Sequence, residues 1–218
     1  MHEVAEGVWQ VPLMPRDGVN AYLLGDVLVD SGTKGQGKKV AKALAGRPVA
    51  AHAITHAHAD HIGGSAHVCR TLGVPFWCPA GDAGAAREGR QVAPGGPLKP
   101  LLERNRAWEP VEVARELREG DEVAGFTVLD APGHSPGHVA FWRESDRTLV
   151  AGDVWFNLSL VTFRYGLRQP PNAFTMDPER NRQSMRRLAE LEPSVACFGH
   201  GRPITGAADE LRSFVARL

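Results

Sequence analysis

Three histidines and one aspartate lie within six consecutive positions, in the run Thr-His-Ala-His-Ala-Asp-His at residues 55–61. The four side chains are His56, His58, Asp60 and His61. Neutral imidazole and carboxylate groups are ligands that Zn²⁺ and related divalent ions take in proteins. In this composition a His-x-His-x-Asp-His run would arise by chance with a probability on the order of one in a thousand. The run therefore predicts a metal site. Its four ligands exceed what one catalytic metal takes from a single segment, because such a metal keeps a position open for water.

Three further side chains that could bind metal each follow a short apolar run that is typical of a buried strand. They are His134 after residues 126–130, Asp153 after residues 147–152, and His200 after residues 194–199. A glycine comes directly before each of them, where it allows a tight turn and close approach of the backbone. Ligands at strand ends are held more rigidly than ligands on loops. We therefore expect these residues to complete a site for two metal ions.

Together the seven residues resemble the signature of the metallo-β-lactamase superfamily. The flanking residues resemble it as well: Gly63-Gly64 after the first motif, the Pro-Gly-His-Ser-Pro-Gly-His run at 132–138, and Gly199-His200-Gly201. The resemblance spans roughly residues 8–203, which is nearly the whole chain. It implies a metal-dependent hydrolase, closest to the glyoxalase II-like (hydroxyacylglutathione hydrolase-like) branch.

The resemblance also implies how the ligands divide between two metals. One metal would be held by His56, His58 and His134, the other by Asp60, His61 and His200, and Asp153 would bridge the two. Two ions about 3.5–4 Å apart can activate one water and stabilise both the developing oxyanion and the leaving group. The implied cofactors are two divalent metal ions per chain, with Zn²⁺ as the first choice and iron or manganese as alternatives. Asp60 would be both a ligand and the catalytic proton acceptor.

The remaining histidines have different sequence surroundings. His138 follows His134 by four residues at the start of a predicted strand, which favours hydrogen bonding beside the ligands over coordination. His52 lies in the strand that leads into the first motif and is interpreted as a packed strand residue. His67 and His2 are expected to face solvent.

The order of apolar runs and turn signals predicts an α+β fold. Strands are predicted at residues 8–12, 21–24, 27–30, 49–55, 74–78, 125–130, 138–143, 148–151 and 194–198, and helices at 37–45, 60–72, 178–190 and 207–218. Two runs of strands, each followed by helices, favour two sheets packed together with helices outside. This agrees with the four-layer αββα sandwich of mixed or antiparallel sheets that the resemblance implies. We expect one domain, residues 1–218, whose two halves divide near residues 110–123.

Two segments carry weaker secondary-structure signals. Residues 79–110 are rich in glycine and proline, with only short helical pieces such as 98–106, and residues 157–171 are predicted to be irregular and carry Phe163 and Tyr165. Long irregular segments are often lids or binding loops. Both segments are therefore expected to line the substrate pocket.

Composition narrows the classes of partner. The 25 basic and 25 acidic residues give a formal net charge of zero, which argues against a dominant electrostatic interaction with nucleic acid or an anionic membrane. The first residues are polar and show no secretion signal, and the three cysteines cannot all pair. We expect a cytoplasmic protein that acts on a small molecule, as a monomer or a homodimer.

The favoured function is hydrolysis of a thioester or lactone-type ester of a small molecule by a metal-bound hydroxide. Aspartate rather than cysteine at position 153 argues against a β-lactamase, and Val154-Trp155-Phe156 lacks the tyrosine of the lactonase branch. The main competing function is that of a non-haem iron persulfide dioxygenase on the same ligands, although its Gly-Cys-Gly-Arg segment is missing. A lactonase, a phosphoester hydrolase and a non-catalytic binding scaffold are also compatible with the ligand set.

Overall fold

The computed structural model describes residues 1–91 and 107–218, so the predicted helical piece at 98–106 lies outside the described residues. The first half contains strands β1 (His2–Ala5), β2 (Val8–Pro12), β3 (Asn20–Leu24), β4 (Val27–Val29), β5 (Ala51–Ala53), β6 (Phe76–Pro79) and β7 (Arg115–Leu117). Its helices are α1 (Gly37–Ala43), α2 (Ala59–Ile62), α3 (Ser65–Leu72) and α4 (Ala83–Glu88), with 3₁₀ turns at Pro15–Asp17 and Ala80–Asp82.

The second half is also made of short strands and helices. Its strands are β8 (Glu122–Val123), β9 (Phe126–Asp130), β10 (Val139–Arg143), β11 (Thr148–Val150), β12 (Phe156–Leu158), β13 (Tyr165–Arg168), β14 (Val195–Cys197) and β15 (Ile204–Thr205). A 3₁₀ turn at Asn172–Phe174 precedes helix α5 (Pro178–Ala189), and α6 (Ala207–Val215) follows β15.

The strands form two mixed sheets and one separate hairpin. Strands β1 to β7 lie side by side in sequence order, antiparallel from β1 to β4 and parallel from β4 to β7. The second sheet has the order β15-β14-β11-β10-β9-β8, in which the β11–β14 pair is parallel and the other pairs are antiparallel. Strands β12 and β13 pair with each other. The change from one sheet to the other falls between β7 and β8.

Alternating apolar residues explain why the layers stack. Side chains on one face of each sheet, such as Leu24 and Phe141, meet in a core between the two sheets. On the outer faces, α1 and α3 pack on the first sheet, where Val40 contacts the cluster that contains Leu28. Helices α5 and α6 cover the second sheet in the same way, with Leu188 in its outer core. The predicted four-layer αββα sandwich is confirmed.

One predicted helix is in fact two. The expected helix at 60–72 is interrupted at Gly63 and Gly64, where the chain packs against the loop after β4. A Cβ at Gly63 would lie 2.5 Å from the backbone N of Lys34, and one at Gly64 would lie 2.5 Å from the carbonyl of Ser31. The Gly64 N–H donates to the carbonyl of Gly32 at 3.1 Å, outside the helical pattern. Contact with a distant loop therefore ends α2 and restarts the chain as α3.

The prediction that residues 157–171 are irregular was wrong. They include most of the β12–β13 hairpin, in which Phe156 pairs with Arg168 and Leu158 with Tyr165 across a bulge. A bulged hairpin of such short strands carries little alternation in its sequence, which is why the pattern missed it. The edge strands β1, β7, β8 and β15 were missed too, because each has only two to four residues. Within the described residues no helix is long and apolar enough to cross a membrane.

Candidate metal centre

The seven side chains singled out in the sequence meet at one edge of the sandwich, each after the carboxyl end of a strand. His56 and His58 follow β5, Asp60 and His61 lie on α2, His134 lies between β9 and β10, Asp153 follows β11, and His200 follows β14. Each of these strands is short and has side chains in the core between the sheets, so it ends at a position set by that core. The rigid core thus carries all seven side chains to one place.

The seven side chains form overlapping groups in which the ligand atoms lie within 4.8 Å of one another. The groups are His56, His58 and His134; His56, His61 and Asp153; and Asp60, His61 and His200. Asp153 Oδ2 is 3.2 Å from Nε2 of both His61 and His200, and 3.4 Å from Nε2 of His134. The carboxylate therefore lies between the first and last groups, where a bridging ligand would have to be.

Several buried atoms in this centre have no hydrogen-bond partner among the residues that the structure describes. They are Nε2 of His56, His58, His61 and His134, and Oδ1 of Asp153. A buried polar atom without a partner costs free energy, and such atoms are rare in folded proteins unless a ligand satisfies them. Imidazole nitrogen and carboxylate oxygen are donors suited to divalent ions. The residues present therefore fit divalent metal ions.

Hydrogen bonds on the far side of four imidazole rings leave Nε2 free to bind metal. The Nδ1–H groups donate from His56 to Thr55 Oγ1 at 3.0 Å, from His61 to Asp30 Oδ2 at 2.9 Å, from His134 to Thr175 Oγ1 at 3.2 Å, and from His200 to the Gly18 carbonyl at 2.5 Å. A proton held at Nδ1 puts the lone pair on Nε2, which also becomes more basic. The ring orientations are thus set by the protein itself.

Asp30 contributes to this centre although the sequence analysis missed it. Its Oδ2 accepts from His61 Nδ1 at 2.9 Å and from Thr55 Oγ1 at 2.9 Å, and its Oδ1 accepts from the Thr55 backbone N–H at 2.8 Å. One buried carboxylate therefore orients His61 directly and His56 through Thr55. Asp30 follows the apolar strand β4, so the pattern of a strand followed by a polar residue could have found it.

Asp30→Asn is expected to weaken metal binding at the group that contains His61 by roughly 10- to 100-fold, as for other residues that orient a ligand. Asp30 has a left-handed backbone with φ 62°, which asparagine tolerates, so the fold should be kept. The amide offers a single acceptor oxygen where the carboxylate has two. Metal affinity measured by competition with a chromophoric chelator checks this result. Asp26→Asn, in the exposed turn before β4, is the matched control, and equal affinities in both variants would contradict the prediction.

Two other histidines are not in the ligand groups and instead form hydrogen bonds with residues next to them. His138 is buried, and its Nε2 accepts the backbone N–H of Asp153 at 3.0 Å, which is the hydrogen-bonding role expected from the sequence. A Cβ at Gly152 would lie 2.8 Å from the same Nε2, so glycine is needed there. In the strand β5, burial lowers the pKa of His52 to about 4. His52 packs against Ser65 Oγ at 2.7 Å, as a structural residue would.

The imidazoles of the centre differ in charge because their neighbours differ. Burial, with a smaller effect of the neighbouring His134, lowers the pKa of His58 to about 3, so this ring is neutral at pH 7. Burial would also lower the pKa of His200, but the carboxylates of Asp153 and Asp60 raise it to about 10. A cation bound between these carboxylates would take the place of that proton.

Both carboxylates of the centre are held in the ionised form. Burial alone would raise the pKa of Asp153, but His200 and His61 outweigh it and keep the pKa well below its usual value. Burial alone would also raise the pKa of Asp60, but His61 and His200 lower this pKa below its usual range. The side chain of Asp60 is 36% exposed, whereas His200, His58 and the others are nearly inaccessible. The centre therefore opens to solvent beside Asp60.

Asp82 is a second residue that the sequence analysis missed. Its buried carboxylate accepts from the Ala57 N–H at 2.8 Å, the Ser135 hydroxyl at 2.7 Å and the Gly137 N–H at 2.7 Å. Ala57 lies between His56 and His58, and Ser135 follows His134. Burial raises the pKa of Asp82, while these three hydrogen bonds oppose the change. Asp82 thus joins the two loops that carry the first histidine group.

Comparison with known proteins agrees with the geometry. Residues 14–200 match the family model described as the metallo-beta-lactamase superfamily. The chain belongs to this superfamily. Together with the ligand set, this membership makes it a metal-dependent hydrolase of the superfamily.

Relatives within the superfamily include bacterial proteins of modest identity. YflN of Bacillus subtilis (strain 168), described as a "probable metallo-hydrolase", is 29% identical over 174 residues, which cover 70% of this chain and 64% of YflN. The hydroxyacylglutathione hydrolase of Bdellovibrio bacteriovorus is 27% identical over 69% of this chain and 48% of that protein. This chain therefore spans about half the length of that hydrolase and just under two thirds of YflN.

Solved structures of the superfamily have the same fold. TTHA1623, crystallised in a di-iron-bound form, is 30% identical with a TM-score of 0.67, over 92% of this chain and 96% of that one. The metallo-beta-lactamase family protein TTHA1429 from Thermus thermophilus is 29% identical with a TM-score of 0.69, over 98% of this chain and 79% of that one. The similarity thus covers both sheets and every strand that carries a ligand.

Proposed function

We propose that this chain hydrolyses a thioester or lactone-type ester of a small molecule, with two divalent metal ions bound by the seven residues. The observation that carries the proposal is the position of Asp153, whose carboxylate lies between two histidine groups with unpartnered buried nitrogens. Two adjacent ions, when bound, lower the pKa of a water molecule and polarise a carbonyl or leaving group. Ester-like substrates with good leaving groups need little other chemistry from the protein.

The residues of the chain have distinct tasks in this reaction. His56, His58 and His134 hold one ion, Asp60, His61 and His200 hold the other, and Asp153 is shared. Asp60 is the ligand that solvent and substrate reach, since the other six are nearly inaccessible. Its carboxylate is ionised and is the group placed to accept a proton from the attacking water.

The names of relatives support a thioester as the substrate class. The chemistry of the ligands supports the choice of metal. Several relatives are named hydroxyacylglutathione hydrolases, including one from Methylococcus capsulatus that is 35% identical over 108 residues. Because that match covers 33% of the relative, we propose the thioester class and not glutathione itself. Histidine-rich sites suit zinc, and we propose Zn²⁺ first; the di-iron form of TTHA1623 supports iron as the alternative.

Metal content is expected to approach two divalent ions per chain after saturation. The physical reason is that seven ligands, one of them shared, exceed what a single tetrahedral ion can use. Elemental analysis of protein purified without chelators and then dialysed against zinc measures the ratio. A content that stays at one ion per chain would refute the two-metal assignment.

Turnover on a panel of substrates tests the reaction. Zinc-, manganese- and iron-loaded samples are assayed with thioesters, lactones and phosphoesters, before and after chelation and metal restoration. We expect cleavage of thioesters or lactones that chelation abolishes and metal restores. Oxygen consumption with a persulfide or thiol, in the absence of any hydrolysis, would replace the proposal with the dioxygenase function.

A further inference from the structure

A groove of about 630 Å³ lies beside His200, between the loop at residues 13–19 and the tip of the β12–β13 hairpin. Sites for small molecules have volumes of about 300–1,000 Å³. The walls are mostly apolar, with Met14 and Pro15 on one side and Leu160 and Phe163 on the other. Gly18 also lines the groove, and its carbonyl accepts the Nδ1–H of His200 at 2.5 Å. Gly18 therefore connects the groove to one of the candidate metal ligands.

Exposed apolar side chains are concentrated at this place. Among the described residues, seven large apolar side chains are exposed, and three of them, Met14, Leu160 and Phe163, line the groove. Phe163 is 51% exposed and Leu160 is 38% exposed. Single exposed apolar residues need no explanation, but a cluster beside a site marks a surface that binds something apolar.

Both walls of the groove contain non-glycine residues in the left-handed region of backbone conformation. Arg16, Asp17 and Phe163 have φ of 58°, 56° and 54°, a left-handed conformation that few non-glycine residues adopt. Arg16 Nη1 donates to the Phe163 carbonyl at 3.4 Å, and the Tyr165 hydroxyl donates to Asp17 Oδ2 at 3.2 Å. Strain of this kind gathers at ligand clamps and is maintained by surrounding contacts. The two walls thus hold each other in place.

The groove and the opening of the metal centre flank the same histidine. Asp60 Oδ2 lies 3.3 Å from His200 Nε2, and Asp60 is the ligand through which the centre opens. Gly18 contacts the opposite nitrogen of the same ring. The groove and the opening at Asp60 therefore lie on opposite sides of one imidazole ring.

We propose that this groove binds the apolar acyl chain of the substrate and so selects medium-length acyl thioesters or esters. The proposal rests on the proposed hydrolase function. Arg16 is the one charged residue among the described residues of the groove wall, and its guanidinium donates to the Phe163 carbonyl. The remaining surface of the groove is apolar, so an apolar acyl chain would gain free energy by burying its methylene groups there. A polar or highly charged acyl group would not gain this free energy.

Chain-length dependence tests this selection. N-acetylcysteamine thioesters of acetate, butyrate, hexanoate and octanoate are assayed with the metal-loaded protein. We expect kcat/KM to rise roughly two- to fourfold per methylene group, the gain from burying it in an apolar site. Phe163→Ser and Leu160→Ser should lower kcat/KM for octanoate by about tenfold or more while leaving acetate within about twofold. Val161→Ser is the matched control, because Val161 lies in the same hairpin, is 88% exposed and is outside the groove wall.

A binding measurement separates the groove from the reaction. The thioether S-octyl-N-acetylcysteamine has no thioester bond to cleave, and calorimetry measures its binding to the metal-loaded protein. We expect Phe163→Ser to weaken this binding about tenfold, and Val161→Ser to leave it unchanged. Thermal unfolding of each variant shows whether the fold is kept.

The outcomes distinguish the two proposals. Turnover of acetyl thioester with no dependence on chain length would overturn the acyl groove and leave the hydrolase function standing. Groove-dependent binding of the octyl thioether without turnover of any thioester or lactone would overturn the hydrolase function and leave the groove as a binding site for apolar chains. If Phe163→Ser changes only the oligomeric state, measured by sedimentation, the apolar surface is a contact between copies of this chain and the acyl proposal is wrong.

Discussion

Asp153→Ala is expected to lower turnover by about 10³-fold or more, because each metal contributes several kcal/mol to transition-state stabilisation and this variant disrupts both sites. Asp153 Oδ2 lies within 3.4 Å of Nε2 of His61, His134 and His200, so this carboxylate contacts both histidine groups. Removal of the carboxylate leaves the imidazoles in place but takes away the negative charge between them. We therefore also expect one metal equivalent to be lost.

Steady-state turnover and elemental analysis of the same samples measure both effects. Asp209→Ala is the matched control, because it makes the same chemical change at a side chain that is 92% exposed on α6. His138→Ala should have an intermediate effect of roughly 10- to 100-fold, since it removes only the acceptor for the Asp153 N–H. An Asp153→Ala variant that retains two metals and more than a tenth of wild-type turnover would show that Asp153 does not bridge the site.

Asp82→Ala is expected to lower the free energy of unfolding by on the order of 3–5 kcal/mol. The substitution leaves the Ala57 N–H, the Gly137 N–H and the Ser135 hydroxyl without their acceptor in a buried region, and each such loss costs about 1–3 kcal/mol. The loops that carry His56, His58 and His134 would separate, so affinity for the metal of this group should fall as well. Asp82→Asn keeps the shape and one acceptor oxygen, and should be milder.

Urea denaturation of metal-free protein measures the change in stability without the contribution of bound metal. The exposed variant Asp209→Ala serves again as the control and should change stability by a few tenths of a kcal/mol, as surface substitutions usually do. A midpoint for Asp82→Ala that equals that of the control would show that the two loops are held together without the carboxylate.

Much of the architecture was predictable because apolar residues recur in the sequence with the period of a strand or a helix. Strand β2 was predicted at its observed bounds, and the turn at Gly25-Asp26 joins β3 to β4 as expected. Alternating apolar residues decide which face of a strand is buried, and amphipathic helices such as α5 decide which layer they cover. The prediction of one continuous helix at 60–72 was wrong. The break at Gly63-Gly64 depends on contact with a loop that precedes it by some thirty residues in the chain.

The candidate ligands could be predicted for a different reason. Metal chemistry admits few side-chain types, and histidine and aspartate that follow a strand and a glycine stand out in a chain of 218 residues. All seven residues singled out in this way lie together in the structure. Their roles in binding metal remain proposals that the variants above test.

The sequence by itself determined the family, the layered α+β architecture and the seven side chains at the centre, because composition, spacing and alternation are local properties. Only the tertiary structure decided which residues orient those side chains and where the centre opens. Asp30 contacts His61 across 31 positions, Gly137 contacts Asp82 across 55, and His200 contacts Gly18 across 182. Contacts between such distant residues leave no period in the sequence. They arise when the two sheets pack together and bring the loops at one edge into contact, which is also what creates the groove beside His200.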